Sequence, residues 1–396
     1  MNRHFLRDIA DIQTGPFGSQ LHKEDYVDIG TPIVTVEHLG NRVFTEQNLP
    51  KVSDEDKARL SKYVLKEGDI VFSRVGSVDR CSYVDAAHDG WMFSGRCLRV
   101  RPNTEVDPLY LYYFFCLEDT KQFVRNIAVG ATMPSINTKL LGEVEVAYPS
   151  QTEQQKIVAL LSALDDKIEI NQKINDNLQQ QAELLYHKRF ETVNRDKLPV
   201  GWRIVRLGDV ATISKKSFNP AKEPEMMLEH YSIPAFDEAH FPVFEPSTAI
   251  KSNKFIVDDS CFMISKLNPT TKRVWKPYCL TANAVCSTEF IVYKTKSQDL
   301  TDFLYSVIDS TSFSDFMCSH VTGSTGSRQR TTPSDTLAFE LVLPNAEEIA
   351  EYQGVVSPMF EQIKCNAIEN DRLKRLRDSL LPKLMSGELD VSSIQL

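Results

Sequence analysis

Apolar residues recur at alternating steps of four and three through residues 151–193, a stretch that contains neither proline nor glycine. This spacing is typical of a long helix whose apolar seam packs against a second helix. Ser150 and Glu153 form a capping-box pattern, which predicts that the helix begins just after Ser150. The predicted seam consists of Ile157, Leu161, Leu164, Ile168, Asn171, Asn175, Leu178, Ala182 and Leu185.

The same pattern returns 195 residues later and predicts a second helix. Both asparagines recur, and Pro149 ahead of the first helix corresponds to Pro344 ahead of the second. These matches indicate an internal duplication. Pro358 removes a backbone donor, so we expect the second helix to kink or to restart at this residue. The second seam consists of Tyr352, Val356, Met359, Ile363, Asn366, Asn370, Leu373, Arg377 and Leu380.

Each seam needs a partner, and the two seams of this chain suit each other. A buried asparagine is best satisfied by another asparagine. Antiparallel pairing about a pseudo-two-fold axis opposes residues whose numbers have a constant sum, and matched asparagines set that sum at 541. One poor layer sets Leu164 against Arg377, whose charged head we expect to reach water. The register pairs Asn171 with Asn370, Asn175 with Asn366, Leu161 with Leu380, Ile168 with Leu373, and Leu178 with Ile363.

A looser repeat precedes each helix. Similar segments at 65–74 and 257–266 end in Ser-Arg and Ser-Lys, and both are followed by a strand and then by a helical stretch. The chain is long enough for two domains of ordinary size, and the Pro- and Gly-containing stretch 196–202 marks a boundary between them. The predicted strands are 97–100, 144–148, 290–293 and 339–343, and the helical stretches are 110–123 and 301–317. The predicted organisation is a domain at 1–148, a helix at 149–197, a domain at 198–343, and a helix with its tail at 344–396.

Composition narrows the possible functions. The chain carries 45 Lys and Arg against 54 Asp and Glu, for a net charge of −9. This balance argues against a basic surface over the whole protein. The basic clusters within residues 96–101 and 266–276 are nevertheless compatible with a basic face on one part of it. No apolar run approaches the ~18 residues of a membrane span, and the first residues lack a signal-peptide pattern. With eight cysteines that show no metal-binding spacing, we expect a cytoplasmic protein with reduced thiols.

Motifs for catalysis are missing from the sequence. It contains no glycine-rich dinucleotide or phosphate loop and no serine-hydrolase or zinc-protease signature. An adenine methyltransferase grips its base with a polar-Pro-Pro-aromatic motif. The nearest candidates, residues 219–221 and 268–270, lack the second proline and the aromatic residue.

Three stretches carry a resemblance to a known family. One is the strand that leads into Pro149-Ser-Gln-Thr-Glu153 and the first long helix. Another is Leu380-Leu-Pro-Lys-Leu-Met-Ser-Gly-Glu-Leu389, and the third is Trp202-x-x-Val-x-Leu-Gly-Asp-Val210. With the duplicated order of domain and helix, the whole chain resembles the specificity subunit of a type I restriction–modification enzyme.

This resemblance implies an α+β protein with two α/β target recognition domains, joined by two long antiparallel coiled-coil helices in a pseudo-two-fold repeat. Each domain would read one half of a bipartite, asymmetric target in double-stranded DNA. The helices would set the spacing and dock two DNA adenine methyltransferase subunits, which bring S-adenosylmethionine, and restriction subunits could join. The chain itself would be no enzyme and would hold no cofactor or metal. The alternatives are a coiled-coil scaffold without DNA binding and a self-contained DNA methyltransferase.

We predict the DNA contacts in loops that follow equivalent strands, because loops on a rigid scaffold commonly bind ligands. These loops combine cations for phosphate with short polar groups for base edges. The glycine-rich loops at 130–135 and 323–330 are second choices. The predicted contacts are Ser73, Arg74, Ser77 and Arg80 in the first domain; Lys266, Asn268, Thr270, Lys272 and Arg273 in the second; and Ser324, Arg328 and Arg330 in the second glycine-rich loop.

Overall fold

A computed structural model describes residues 1–18, 20–323 and 329–392. The chain divides into two compact units. Unit 1 comprises Met1–Lys167 and Leu373–Leu396, and unit 2 comprises Ile168–Arg372. Each unit therefore combines one globular region with segments of both long helices. Among the described residues, none of the helices combines the length and apolar character needed to cross a bilayer.

The globular region of unit 1 alternates short strands with short helices. Its strands are β1 (Asn2–Phe5), β2 (Ala10–Thr14), β3 (Tyr26–Val27), β4 (Thr31–Val34), β5 (Lys51–Val52), β6 (Ile70–Ser73), β7 (Cys81–Tyr83), β8 (Met92–Phe93), β9 (Cys97–Pro102) and β10 (Glu145–Tyr148). Its α-helices are α1 (Leu6–Ile9), α2 (Asp54–Arg59), α3 (Pro108–Cys116), α4 (Glu118–Ile127) and α5 (Thr138–Leu141), and 3-10 turns span Lys23–Asp25, Val36–His38, Ser61–Tyr63 and Ala86–His88.

The central sheet of unit 1 has the antiparallel order β2-β9-β6-β7. The apolar helix α3 covers it, and Phe72 of β6 meets Phe115 edge to face at 4.7 Å between ring centroids. A second sheet, β3-β5-β4-β8, pairs β4 with β8 in parallel, while β1 pairs with β10. The sheet places the end of β6 next to the beginning of β9, since Ser73 lies opposite Cys97.

Unit 2 repeats this arrangement with more elements. Its strands are β11 (Arg203–Arg206), β12 (Ala211–Ser214), β13 (Ser217–Phe218), β14 (Met227–Tyr231), β15 (Val243–Pro246), β16 (Lys254–Ile256), β17 (Cys261–Ser265), β18 (Val274–Trp275), β19 (Ala284–Ser287), β20 (Phe290–Thr295), β21 (Val321–Thr322), β22 (Arg330–Thr331) and β23 (Glu340–Leu343). Its short α-helices are α7 (Leu207–Val210), α8 (Ile233–Ala239), α9 (Thr301–Asp309), α10 (Thr311–Ser319) and α11 (Pro333–Thr336), and 3-10 turns span Ser247–Ala249 and Gln298–Leu300.

The central sheet of unit 2, β12-β20-β17-β18, is the counterpart of β2-β9-β6-β7. Ser265 lies opposite Phe290, as Ser73 lies opposite Cys97. The second sheet differs, because it has the five strands β13-β16-β19-β14-β15. The predicted α+β fold with a repeated framework is thus confirmed. Each predicted helical stretch is two helices, divided at Leu117 in unit 1 and at Ser310 in unit 2.

The first long helix, α6, spans Gln151–Tyr186 and continues as a π-helix over His187–Glu191. Its predicted capping box forms, since the Ser150 amide donates to Glu153 and the Glu153 amide donates to the Ser150 hydroxyl. The prediction that Leu185 lies in the seam is wrong. Leu185 is 38% exposed and Tyr186 is buried, because a helix with 3.6 residues per turn drifts away from a strict heptad.

The second long helix, α12, spans Ala346–Ser386 without interruption. The expectation that it restarts at Pro358 is therefore wrong. Proline leaves the carbonyl four residues earlier, that of Gly354, without its helical donor. Both Gly354 and Pro358 lie on the exposed side of the helix, where water can bond that carbonyl, while Val356 and Phe360 pack into the core of unit 2.

In unit 2 the two helical segments run antiparallel and are joined by asparagines. The Asn171 amide donates to the Asn370 carbonyl oxygen at 2.9 Å, and the Asn366 amide donates to Asn175 at 2.8 Å. Both pairs have the sum of 541 on which the predicted register is built. Asn171 also donates to Glu369 at 2.7 Å, so this polar layer holds its groups by several bonds.

In unit 1 the segments 151–167 and 373–386 also pack together, with Leu161 and Leu384 in one apolar core. Arg377 departs from the expectation that its head reaches water. It donates to the buried carboxylate of Asp165 at 2.6 Å, and Tyr113 donates to the same carboxylate at 2.7 Å. Burial by itself lowers the pKa of Arg377, but the Asp165 carboxylate outweighs it and holds that pKa above its ordinary value.

We expect Arg377→Met to lower the free energy of unfolding by about 1–3 kcal/mol, because it removes a charged donor from a carboxylate that is only 5% exposed. The measurement is urea unfolding of the full chain, with the exposed Lys383→Met as the control. In the double variant Arg377→Met with Asp165→Asn, the free energy of unfolding should fall by less than the sum of its decreases in the two single variants. A loss no larger than that of Lys383→Met would contradict this account.

Candidate nucleic-acid interface

The first predicted DNA-binding loop begins where β6 ends. The Ser73 amide donates to the Arg80 carbonyl at 2.9 Å, which closes the loop. The Ser73 hydroxyl, buried beneath it, donates to the Val75 carbonyl at 2.8 Å. Gly76 has a φ of +76°, the left-handed conformation that glycine adopts most easily.

The loop after β17 in unit 2 is built in the same way. The Ser265 amide donates to the Arg273 carbonyl at 2.9 Å, and the Ser265 hydroxyl donates to the Leu267 carbonyl at 3.0 Å. Asn268 has a φ of +51° at the position of Gly76, and asparagine tolerates this region better than most residues. The two loops are therefore structural equivalents, although one has Gly76 where the other has a side chain.

The first loop is bonded to the glycine-rich loop in unit 1 and to the residues that follow the glycine-rich stretch in unit 2. In unit 1 the Ile136 amide donates to the Arg74 carbonyl at 2.9 Å, and Gly76 donates to Pro134 at 2.8 Å. In unit 2 the matching bonds run from Thr331 to Lys266 at 3.1 Å and from Asn268 to Gln329 at 2.9 Å. The first-choice and second-choice loops thus form one surface in unit 1, and the described residues 329–331 take the matching position in unit 2.

Sequence reasoning missed a third loop, which precedes β9 in unit 1 and β20 in unit 2. The Arg74 amide donates to the Arg96 carbonyl at 2.8 Å, and its guanidinium donates to the Gly95 carbonyl at 3.0 Å. Lys266 repeats both contacts, with Glu289 at 2.9 Å and with Thr288 at 2.8 Å. The available signal was the matched pair of strands that begin at Cys97 and Phe290. We call residues 73–80, 94–96 and 129–136 the first loop cluster, and residues 265–273, 288–289 and 329–331 the second loop cluster.

The predicted contact residues of the first loop cluster differ in exposure. Ser73 is buried and holds the loop, whereas Ser77 is exposed. Arg74 is half-buried, and Arg80 is exposed but donates to the Leu39 carbonyl. Arg96, which sequence reasoning did not select as a contact, is also exposed. This cluster therefore displays arginines above a framework of backbone hydrogen bonds.

The second loop cluster has its cations next to carboxylates. Arg273 binds Asp237 through two bonds of 2.5 and 2.8 Å. Arg330 binds Glu289 through two bonds of 3.0 and 3.1 Å. Thr270 donates to Asn268 at 3.1 Å. Ser324 and Arg328 lie outside the described residues.

Lys272 lies between two carboxylates of unit 2. Its ammonium is 3.2 Å from Asp309 and 3.2 Å from Glu183 of α6. Burial lowers the pKa of Lys272, but these two carboxylates outweigh burial and hold that pKa above its ordinary value. Asp309 also accepts the Gln179 amide of α6 at 2.5 Å. The ion pair therefore joins the second loop cluster to the long helix.

The two clusters share a backbone frame but differ in charge. In the first, Arg74 and Arg96 occupy the positions that Lys266 and Glu289 occupy in the second. Cations beside backbone turns can contact phosphates, and exposed polar groups can reach base edges. Equivalent positions with different side chains suit two different ligands of the same general kind.

The chain is similar to known DNA-specificity proteins. Residues 2–180 match the family model described as "Type I restriction modification DNA specificity domain". The MjaIX type I restriction enzyme specificity subunit of Methanocaldococcus jannaschii is 26% identical over 98% of this chain and 93% of its own length. The HindI specificity subunit of Haemophilus influenzae is 25% identical over 85% of this chain and 89% of its own length.

A solved structure supports the fold. The type I restriction–modification S subunit from M. genitalium superimposes with a TM-score of 0.56 at 16% identity. The match covers 97% of this chain and 95% of that one. The fold is thus shared with that protein.

We expect Lys272→Met to lower the free energy of unfolding by about 1–3 kcal/mol, because the buried Asp309 carboxylate loses its cation. Burial raises the pKa of Asp309, so the loss of free energy should become smaller as the pH falls, because this carboxyl takes up a proton at a higher pH than an ordinary aspartate. Urea unfolding of the full chain at two pH values measures both effects. The control is Lys251→Met, which changes an exposed lysine. If the free energy of unfolding falls equally in the two variants, Lys272 does not stabilise the buried Asp309 carboxylate as described.

Proposed function

We propose that this chain is a specificity subunit of a type I restriction–modification enzyme, the non-catalytic DNA-recognition component, and that its two loop clusters read the two halves of a split DNA target. The first cluster contacts one half-site and the second contacts the other. The side chains on the two clusters differ, so the two half-sites differ as well. The target is therefore bipartite and asymmetric.

The observation that carries this proposal is the pair of matching hydrogen-bond frames. Arg74 and Lys266 make the same backbone contacts to both neighbouring loops. A frame of this kind holds its loops in fixed positions, and preorganised loops lose less entropy when they bind. Side chains can then vary on the frame without changing the fold, as a recognition surface requires.

Type I specificity subunits assemble with methyltransferase and restriction subunits. For this chain we propose two methyltransferase subunits, each bringing S-adenosylmethionine and the catalytic residues. Both long helices support docking, since they expose large apolar side chains that a soluble surface rarely groups on one element. These side chains are Ile170, Ile174, Leu184 and Leu185 on α6, and Val355 and Leu376 on α12.

The helices also set the distance between the half-sites. The 36 residues of α6 span about 54 Å at a rise of ~1.5 Å per residue. Asn171 with Asn370 and Asp165 with Arg377 lie on either side of the junction at Lys167 and Arg372. Four residues added after Lys167 and four after Arg372 would lengthen both helices by one turn and keep both polar pairs matched.

The experiment is methylation mapping in cells that carry the chain together with its methyltransferase partner. We expect methylated adenines in a split target with two unlike half-sites. The variant with both four-residue insertions should methylate the same two half-sites across a longer gap. The chain without its partner should transfer no methyl groups.

The matched control places four residues after Lys167 alone. This change shifts the asparagine layer against the Asp165–Arg377 layer, so the complex should lose activity rather than change its gap. A continuous target, or a gap that stays constant after both insertions, would refute the proposed role of the helices.

A further inference from the structure

Phe17 is a large apolar side chain that is 53% exposed. It follows β2 in the turn Gly15-Pro16-Phe17, and its carbonyl accepts the Gln20 amide at 2.7 Å. The turn lies against residues 94–96 of the first loop cluster, and its Gly15 amide donates to the carbonyl of the next residue, Cys97, at 3.2 Å. Sequence reasoning did not select this residue.

The turn is locked in place by two glycines. A Cβ atom at Gly15 would lie 2.1 Å from the Ser94 carbonyl oxygen, and one at Gly95 would lie 2.2 Å from the Pro16 carbonyl oxygen. Both distances are far below van der Waals contact, so the two backbones touch where any side chain would separate them. Phe17 is therefore held on a rigid support instead of at the end of a free loop.

The surroundings of Phe17 are both cationic and apolar. The Arg74 guanidinium lies over its ring at 5.2 Å from the centroid, in cation–π contact. The neighbouring glycine-rich loop exposes Val129 at 62% and Met133 at 66%. That loop is bonded to the Arg74 loop through Pro134 and Gly76. The first loop cluster thus presents apolar side chains next to arginines.

The second unit treats the corresponding residue differently. Phe218 lies 201 positions after Phe17, the same offset that relates the opening segments of the two halves. It packs against the buried cluster of Leu228, Ile250 and Val285. Exposure at this position is therefore not imposed by the shared frame and is specific to the first unit.

We infer that Phe17 is the apolar base contact of the first loop cluster and reads the 5-methyl group of a thymine in the major groove. This inference rests on the proposed function. The other groups on base edges in that groove are polar, and the thymine methyl is the apolar feature that a phenylalanine ring matches. Arg74, stacked on the same ring, supplies the cation that a nearby phosphate or guanine attracts.

The test uses the full chain in complex with its methyltransferase partner and duplexes of the mapped target. Each thymine in both half-sites is replaced in turn by deoxyuridine, which removes only the methyl group. Loss of one buried methyl should weaken binding about fourfold at a single thymine. Phe17→Ala should weaken binding to the thymine duplex about tenfold and should lose nothing further with deoxyuridine at that position.

A matched control is Phe123→Ala in α4, which removes a phenylalanine that is 41% exposed outside the loop cluster. It should leave binding and the deoxyuridine effect unchanged. The salt dependence of binding should stay constant in Phe17→Ala, because no phosphate contact is removed. Arg74→Ala should instead flatten the salt dependence.

Two results would overturn the inference and leave the proposed function standing. In the first, Phe17→Ala binds the target as tightly as the parent chain does. In the second, Phe17→Ala weakens binding by the same factor on the thymine duplex and on every deoxyuridine duplex. Failure of the parent complex to prefer the mapped target over a scrambled duplex would overturn the proposed function itself. A single thymine whose methyl effect disappears in Phe17→Ala supports the inference.

Discussion

A polar side chain inside an apolar helix seam must find a polar partner or lose the hydrogen bonds that water gave it. In this chain the long helices carry asparagines in their seams, and in unit 2 each asparagine bonds to one on the opposite segment. Apolar layers alone allow helices to slide by one turn at small cost, whereas mismatched asparagines do not. The asparagine layers therefore fix which residues of the two helices face each other.

A hydrogen bond in unit 1 and an ion pair in unit 2 then join each globular region to the helices of its own unit. In unit 1, Asp165 of α6 accepts hydrogen bonds from Tyr113 of the globular region and from Arg377 of α12. In unit 2, the Lys272 ammonium pairs with the carboxylates of Asp309 and Glu183. Through Lys272 the second loop cluster is tied to a position on α6 and not only to its own sheet. The duplicated frame can then carry different side chains at equivalent places.

Much of this architecture follows from periodicity. The seams, the capping box at Ser150 and the asparagine matches are visible in sequence, because helical spacing and buried amides impose strict local patterns. The π-helix after Tyr186 and the passage of α12 through Pro358 are not, because both depend on tertiary packing. The sequence predicted that the head of Arg377 reaches water because the register sets Arg377 against Leu164, whereas the arginine bonds to the next residue, Asp165.

In the candidate site, too, some features could be predicted from the sequence and others depend on tertiary contacts. Loops after matched strands could be chosen from sequence, and so could their basic residues. That two loops share one surface, that Arg273 and Lys272 bind carboxylates, and that Phe17 stands on a rigid turn depend on contacts between distant segments. The glycine and proline residues in the turn around Phe17 gave no periodic signal that sequence reasoning could use.

The central claim is that the two loop clusters are equivalent positions on one duplicated frame, each reading its own half-site. The most direct measurement is methylation mapping of a chain in which residues 1–148 are replaced by residues 198–343. The account predicts that the first half-site disappears and a second copy of the other half-site takes its place. Methylation of the original target by the exchanged chain would contradict it.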